Sequence, residues 1–253
     1  MNSNNPADWH DLKYFSASQC NTFIHSHAMW LARVCGHRQK VGAAAFRGTA
    51  IGVGAQILGT TNDHEVAILA ANDTFLTELK KADIPQDSPS AIKERKIVGG
   101  TMDMLANGGW NDPVIEAERK VEFMLDDIPI PFIGYVDMVC ENKLIELKSK
   151  AVATNKLDAA ANMQAALYQE ATGLPAEVYY TSPKGMTIFK VDHAAGINRA
   201  KQAAHAMLNI LSLSRDTKEI IRQYFRPNPD DWMIGESEMQ FFNSIIGESY
   251  DSK

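Results

Sequence analysis

Cysteine is scarce in this 253-residue chain: Cys20, Cys35 and Cys140 stand far apart and form no CxxC pair. That excludes a disulfide framework, points to a reducing compartment, and cannot supply the four thiolates of a zinc ribbon or an iron–sulfur cluster. Long apolar runs are missing too. The uncharged stretch Gly48–Asn62 is rich in Gly and Thr and shorter than the ~20 apolar residues that span a bilayer. The opening Met1-Asn-Ser-Asn-Asn-Pro has neither a basic nor an apolar region, so no signal peptide is read there and a cytoplasmic location is expected. There is no GxxxxGK[ST] phosphate loop and hence no helicase motor. An excess of basic residues is also absent. The formal net charge is −6, which excludes a polybasic coat protein for nucleic acid.

The acids are absent from one place in particular. Between Leu12 and Asn62 there is no Asp or Glu, while Lys13, Arg33, Arg38, Lys40 and Arg47 give that stretch +5. Lys143–Lys156 carries +3, Lys184–Arg226 carries +5, and the tail beyond Arg226 carries −5. Basic and acidic segments thus alternate. Charge alone does not decide between solvated faces and one polyanion-binding surface.

Periodicity orders the elements. Helices are expected over Phe23–Val34, capped by Ser16 or Ser18, and over Ala44–Leu58, His64–Lys81 and Ile92–Leu105, the last closed by Asn107-Gly-Gly. Val114–Leu125 alternates apolar and charged residues and reads as a strand. Strands over Pro131–Val139 and Lys143–Ser149, a helix over Asn155–Thr172, and strands over Ala176–Thr181 and Met186–Val191 follow. Helices over Ala194–Leu213 and Asp216–Tyr224 close the order, ended by Pro227 and Pro229. The expected fold is α/β: a mixed central sheet flanked by helices, with helical additions at both ends. One domain over 1–253 is read, with a helical part at 1–110, an α/β core at 111–192, and helices plus an acidic tail at 193–253.

The chemistry concentrates in the middle. Glu146 and Lys148 share a face of their strand. Asp137 lies on the neighbouring strand across a short turn. Two converging carboxylates suit a hard divalent cation, and an adjacent lysine can hold or activate a water. These three residues alone also fit a surface ion pair on a hairpin. The following helix adds Gln164 and Tyr168, i and i+4 on one face.

A Gln-x-x-x-Tyr pair one helix after Asp137…Glu146-x-Lys148 resembles the PD-(D/E)XK nuclease superfamily, and within it the RecB-like branch that includes phage recombination exonucleases. Tyr14-Phe-Ser-Ala-Ser18 resembles that branch's opening Ser-x-Ser helix start, and Arg47-Gly48-Thr-Ala its Arg-Gly-Thr segment. Val114–Tyr180 matches its core in order and spacing. The resemblance implies a restriction-endonuclease-like core and a Mg²⁺-dependent deoxyribonuclease, with Mn²⁺ substituting. Asp137, Glu146 and the main-chain carbonyl of Leu147 would be metal ligands, and Glu118 or Glu122 would reach the outer shell. Lys148 would position the attacking water, and Gln164 and Tyr168 would steady the DNA backbone or order the site. Ser16, Ser18, Arg33, Arg38, Lys40, Arg47, Ser149 and Lys150 are candidate DNA contacts, although Arg33, Arg38, Lys40 and Arg47 read equally as a solvated face.

The chain departs from the family in two respects. Gly52 stands where many relatives place a further His or Glu ligand, with Gln56 one turn on as a poor substitute. No cysteine follows Arg226, so the iron–sulfur subtype is excluded. The expected partners are linear DNA ends, duplex or single-stranded, with a single-strand annealing protein and a homo-oligomer as further possibilities and no membrane. The implied activity is exonucleolytic end resection for recombination or DNA degradation. The alternatives are a structure-specific or nicking endonuclease on the same fold, and a catalytically weakened DNA-binding protein.

Overall fold

The structure, a computed structural model, describes residues 5–228 and 230–247. Its elements in chain order are helices α1 (Pro6–Trp9), α2 (Ala17–His25), α3 (His27–Val34), α4 (Ala43–Thr61), α5 (His64–Lys81) and α6 (Pro89–Met104), strands β1 (Glu116–Phe123), β2 (Phe132–Val139) and β3 (Leu144–Ser149), helix α7 (Ala159–Thr172), strands β4 (Ala176–Ser182) and β5 (Gly185–Lys190), and helices α8 (His193–Leu211), α9 (Thr217–Tyr224) and α10 (Glu236–Ile246). The chain divides into two compact units. One comprises residues 1–40, 122–134 and 197–253, the other 41–121 and 135–196. The sequence boundaries at 110 and 192 do not follow this division, because residues 41–110 fall with the strands that follow them.

The sheet runs in the order β1-β2-β3-β4-β5. β2 and β3 pair antiparallel, β3 and β4 parallel, and β4 and β5 antiparallel. The mixed α/β architecture read from the sequence is therefore the one observed. The parallel pair requires a crossover, and α7 supplies it, capped by Asp158 at its start and closed by Gly173 in the left-handed region. On one face of the sheet, Met138, Cys140, Ile145, Leu147 and Tyr179 join the core with Phe46, Ile51, Phe75 and Met102 of α4, α5 and α6. On the other, Val136, Val139, Leu144, Val178 and Tyr180 pack against Ala161, Ala165 and Tyr168 of α7.

β2 changes face partway. Val136 belongs to the α7 side and Met138 to the opposite side, although i and i+2 share a face in a regular strand. Asp137 sits at this switch. Nearby, Glu118 of β1 has φ +53°, in the left-handed region that a regular pleat does not use. The period-two reading of Val114–Leu125 fails in its first half, where Ile115 and Ala117 are exposed and Val114 is buried, and holds in its second, where Val121 and Leu125 are buried and Phe123 is half-buried.

The other unit is helical. Phe15, Trp30, Phe132 and Phe242 are buried in it, and the Phe23 and Trp30 rings meet edge to face at 5.3 Å. The expected single helix over Phe23–Val34 is two helices. Ser26 is extended, ends α2 and caps α3 through its Oγ, which accepts from Met29 N at 3.4 Å. His25 and His27 therefore lie on separate helices. Helix α10 falls in the acidic tail, where the sequence pattern gives no helix bounds. It is held by contacts distant in sequence: Arg222 Nε donates to the Ile245 carbonyl at 3.3 Å, and His37 Nε2 meets Glu238 Oε1 at 3.3 Å.

Candidate active site

Strand β3 carries Glu146 and Lys148 on the α7 side, where Lys148 is in register with Tyr180 and Glu146 with Val178 of β4. The Lys148 ammonium donates to Glu146 Oε1 and, at 3.1 Å, to Gln164 Oε1. Gln164 Nε2 in turn donates to the Tyr168 hydroxyl at 3.0 Å. The strand's pair and the helix's i,i+4 pair thus form one hydrogen-bonded chain from Glu146 to Tyr168. Burial, together with the charge of Glu146, holds the Tyr168 phenol well above its usual titration range, and its hydroxyl also meets the main chain at Tyr135.

Asp137 reaches the same place from β2. The ladder between β2 and β3 pairs Met138↔Ile145 and Val139↔Leu144. One step beyond, the Asp137 carboxylate accepts the Leu147 N–H at 2.8 Å. The Asp137 carbonyl is taken by Gln56 Nε2 of α4 at 3.3 Å. The face switch of β2 therefore has a chemical result: it turns Asp137 toward Glu146 while both ends of the residue stay hydrogen-bonded.

The electrostatics follow from two carboxylates sharing one ammonium. Glu146 is 1% exposed. Burial first, then the charge of Asp137, pushes its carboxyl up to about 8, against the pull of Lys148. Burial also raises Asp137. Lys148 and the Leu147 N–H oppose that shift, and the Glu118 charge adds to it. Burial alone would lower Lys148, but the charges of Glu146 and Asp137 and the hydrogen bond to Glu146 outweigh it and keep the amine protonated. Glu146 Oε2 is fully buried with no hydrogen-bond partner. An orphaned buried carboxylate oxygen is costly, and a cation would satisfy it.

The donor set fits a hard divalent ion on those grounds: two carboxylates, one with a free buried oxygen. It is small, however. The described residues contain no group of three His, Cys, Asp or Glu side chains able to hold a metal. Of the two outer-shell candidates, Glu118 lies within electrostatic reach of Asp137, whereas Glu122 belongs to the other unit. A Cβ built on Gly52 meets nothing within 4 Å, so no neighbouring side chain fills the position of the missing ligand.

The candidate DNA contacts are distributed over both units. In the first, Ser16 caps α2 by accepting from Gln19 N at 3.2 Å, and the Ser18 carbonyl accepts from the Thr22 hydroxyl at 2.9 Å. Arg33 donates to Thr22 Oγ1 at 2.6 Å, Arg38 donates to the Arg33 carbonyl at 3.4 Å, and Lys40 is exposed. In the second, Arg47 is half-buried and paired with Glu94 of α6, and its Nε donates to Ser149 Oγ at 2.8 Å. It ties the end of β3 to α4 and α6. Sequence reasoning gives Glu94 no role, because its partner lies 47 residues away. It also undervalues Gln56, whose partner is a main-chain atom that no side-chain motif records.

No protein-family model matches this sequence, and no curated protein matches it. Among solved structures, the chain is similar to a protein from Eubacterium rectale named "Putative exonuclease", at 13% identity and a TM-score of 0.56, over 95% of this chain and 92% of that one. A protein named SSO0001 matches at 12% identity and a TM-score of 0.31, over 74% of this chain and 85% of that one. The first likeness establishes a shared fold, and the second carries no argument.

Proposed function

We propose that this chain is a metal-dependent DNA exonuclease of the PD-(D/E)XK superfamily, RecB-like branch, hydrolysing phosphodiester bonds in end resection or DNA degradation. The observation that carries the reading is the single cluster of Asp137, Glu146 and Lys148 joined to Gln164 and Tyr168, with one buried oxygen of Glu146 unsatisfied. The exonuclease name of the structural neighbour agrees with it.

Asp137 and Glu146, with the Leu147 carbonyl, would hold Mg²⁺ or Mn²⁺, a coordination completed by water and substrate phosphate. The bound ion would supply charge neutralisation at the phosphate and a more acidic water. The chain's own groups do the positioning. Lys148, held as an ammonium between Glu146 and Gln164, offers its remaining N–H to an attacking water or a phosphate oxygen. Gln164 fixes Lys148 and is itself fixed by Tyr168. The Leu147 N–H and Gln56 together set the direction of the Asp137 carboxylate. Linear DNA ends are the proposed partner, and resected single strands would pass to an annealing protein.

The test is degradation of linear duplex DNA in Mg²⁺. Wild type is expected to degrade it and Lys148→Ala to lose at least about 10³-fold, the scale of a lost catalytic positioning group. Equal rates would sink the proposal. Covalently closed circles are expected to survive; their cleavage would favour an endonuclease. The open space at Gly52 and the two-carboxylate count favour a second reading, a DNA-binding protein with weakened catalysis. Mn²⁺ titration separates the two: binding that Asp137→Ala abolishes supports the enzyme.

A further inference from the structure

Beyond Lys148 the chain continues along β4, and the Lys150 N–H donates to the Thr181 carbonyl at 2.8 Å. Lys150 therefore lies two residues further on the same face, about 7 Å along the strand. Its ammonium sits over the Tyr180 ring, 5.3 Å from the centroid. Tyr180 is in register with Lys148 and lies within the field of both Lys148 and Glu146. Between this strand end and the start of α7 opens a cavity of about 410 Å³, lined by Lys150, Thr154, Lys156, Leu157, Asp158, Ala159 and Tyr180.

The cavity's charge is unbalanced. Neither Lys150 nor Lys156 has an ion pair among the described residues. Asp158 is the one acid on the wall, and its carboxylate is committed to the α7 N-terminus, accepting from Ala160 N at 2.7 Å. The Tyr180 hydroxyl accepts from Asp158 N at 3.1 Å, which leaves its own proton available to donate. Two ammonium groups without an ion pair and one hydroxyl therefore line a space larger than a bare phosphate and of the size that takes a small ligand. One face of the Tyr180 ring is already covered by Lys150, so the recognition on offer is for a phosphate rather than for stacking on that face.

We infer that this cavity is a nucleotide subsite, in which Lys150, Lys156 and the Tyr180 hydroxyl hold the phosphate one nucleotide away from the bond cleaved at Lys148. Its role as a substrate subsite rests on the nuclease reading, whereas its affinity for a nucleotide phosphate does not. Lys150 and Lys156 are binding residues here and touch no reacting atom.

The experiment is calorimetric titration of the full chain with thymidine 5′-monophosphate in EDTA, which removes any metal contribution. Wild type is expected to bind the monophosphate and inorganic phosphate with comparable affinity, with thymidine not binding. Lys150→Ala and Lys156→Ala are each expected to weaken the monophosphate about fivefold or more, while their melting temperatures stay at the wild-type value. Lys156→Glu, at an exposed position, repeats the test by charge reversal and is expected to weaken it further. The proposal is overturned if the lysine variants bind as tightly as wild type. Thymidine binding as well as the monophosphate, or no binding of the monophosphate at all, overturns it too. Failure of the nuclease reading looks different: DNA persists in Mg²⁺ while this titration is unchanged.

Discussion

Glu146→Gln is expected to make the metal-free protein more resistant to alkaline pH while abolishing metal binding. The site holds two carboxylates against one ammonium, and it is neutral only when one carboxyl keeps its proton. With its carboxyl pushed from 4.5 up to about 8, Glu146 is the group that keeps it. A carboxyl whose folded value lies above its unfolded value binds more protons folded than unfolded, so its contribution is complete below about pH 4.5 and is lost as pH rises through 8. Between pH 6 and pH 9 about two units of that window are traversed, which at 1.36 kcal/mol per unit gives wild type a loss of about 2–3 kcal/mol. For a chain of this size that is roughly 5–10 °C in melting temperature. Glutamine mimics the protonated acid and leaves Asp137 and Lys148 as a one-to-one pair, so the variant should lose under about 1 kcal/mol of this component across the same range. The assay is thermal melting of both proteins in EDTA from pH 6 to 9, read as the difference between them so that other titrating groups cancel. Millimolar Mg²⁺ should flatten the wild-type curve, because a cation replaces the proton, and leave the variant unmoved. Parallel curves for the two proteins in EDTA would refute the assignment of the alkaline loss to Glu146.

Arg47→Ala leaves the Glu94 carboxylate largely buried without its partner and is expected to cost about 2–4 kcal/mol; an unchanged melting temperature with weaker DNA binding would instead place Arg47 at the nucleic-acid interface. Gln56→Ala removes one neutral hydrogen bond to the Asp137 carbonyl, worth about 1 kcal/mol in stability. Its kcat is expected to fall several-fold at unchanged KM, and wild-type kcat would show that Gln56 plays no part in aiming Asp137. Gly52→Ala, mid-helix and facing open space, is expected to stabilise by about 0.5–1 kcal/mol. Gly196→Ala places a Cβ 2.4 Å from the Ala166 Cβ and 3.0 Å from the Asn162 carbonyl, and overpacking of that kind costs about 1–3 kcal/mol. Equal melting temperatures for the two alanine variants would contradict both packing arguments.

The parts of the site that were legible are those set by local periodicity. Glu146 and Lys148 share a face because a strand has period two, and Gln164 and Tyr168 share one because a helix turn brings i and i+4 together. The structure adds that the two pairs are bonded to each other through Lys148 and Gln164, a contact across 16 residues that no window of sequence contains. Where the local pattern was trusted beyond its reach, it failed for a physical reason. The alternation through Val114–Leu125 presumes an unbroken pleat, and Glu118 in the left-handed region breaks it. The apolar run Phe23–Val34 presumes one helix, and Ser26 stops it by capping the next. Glu94 and Gln56 were opaque because their roles come entirely from partners 47 and 81 residues away. The face switch at Asp137 belongs with these. A regular β2 would present Val136 and Met138 to the same side and keep the pairing running, leaving the Leu147 N–H to a main-chain carbonyl. The broken pairing is what frees that N–H for the carboxylate, so the irregularity that sequence periodicity cannot foresee is the one that builds the acidic half of the site.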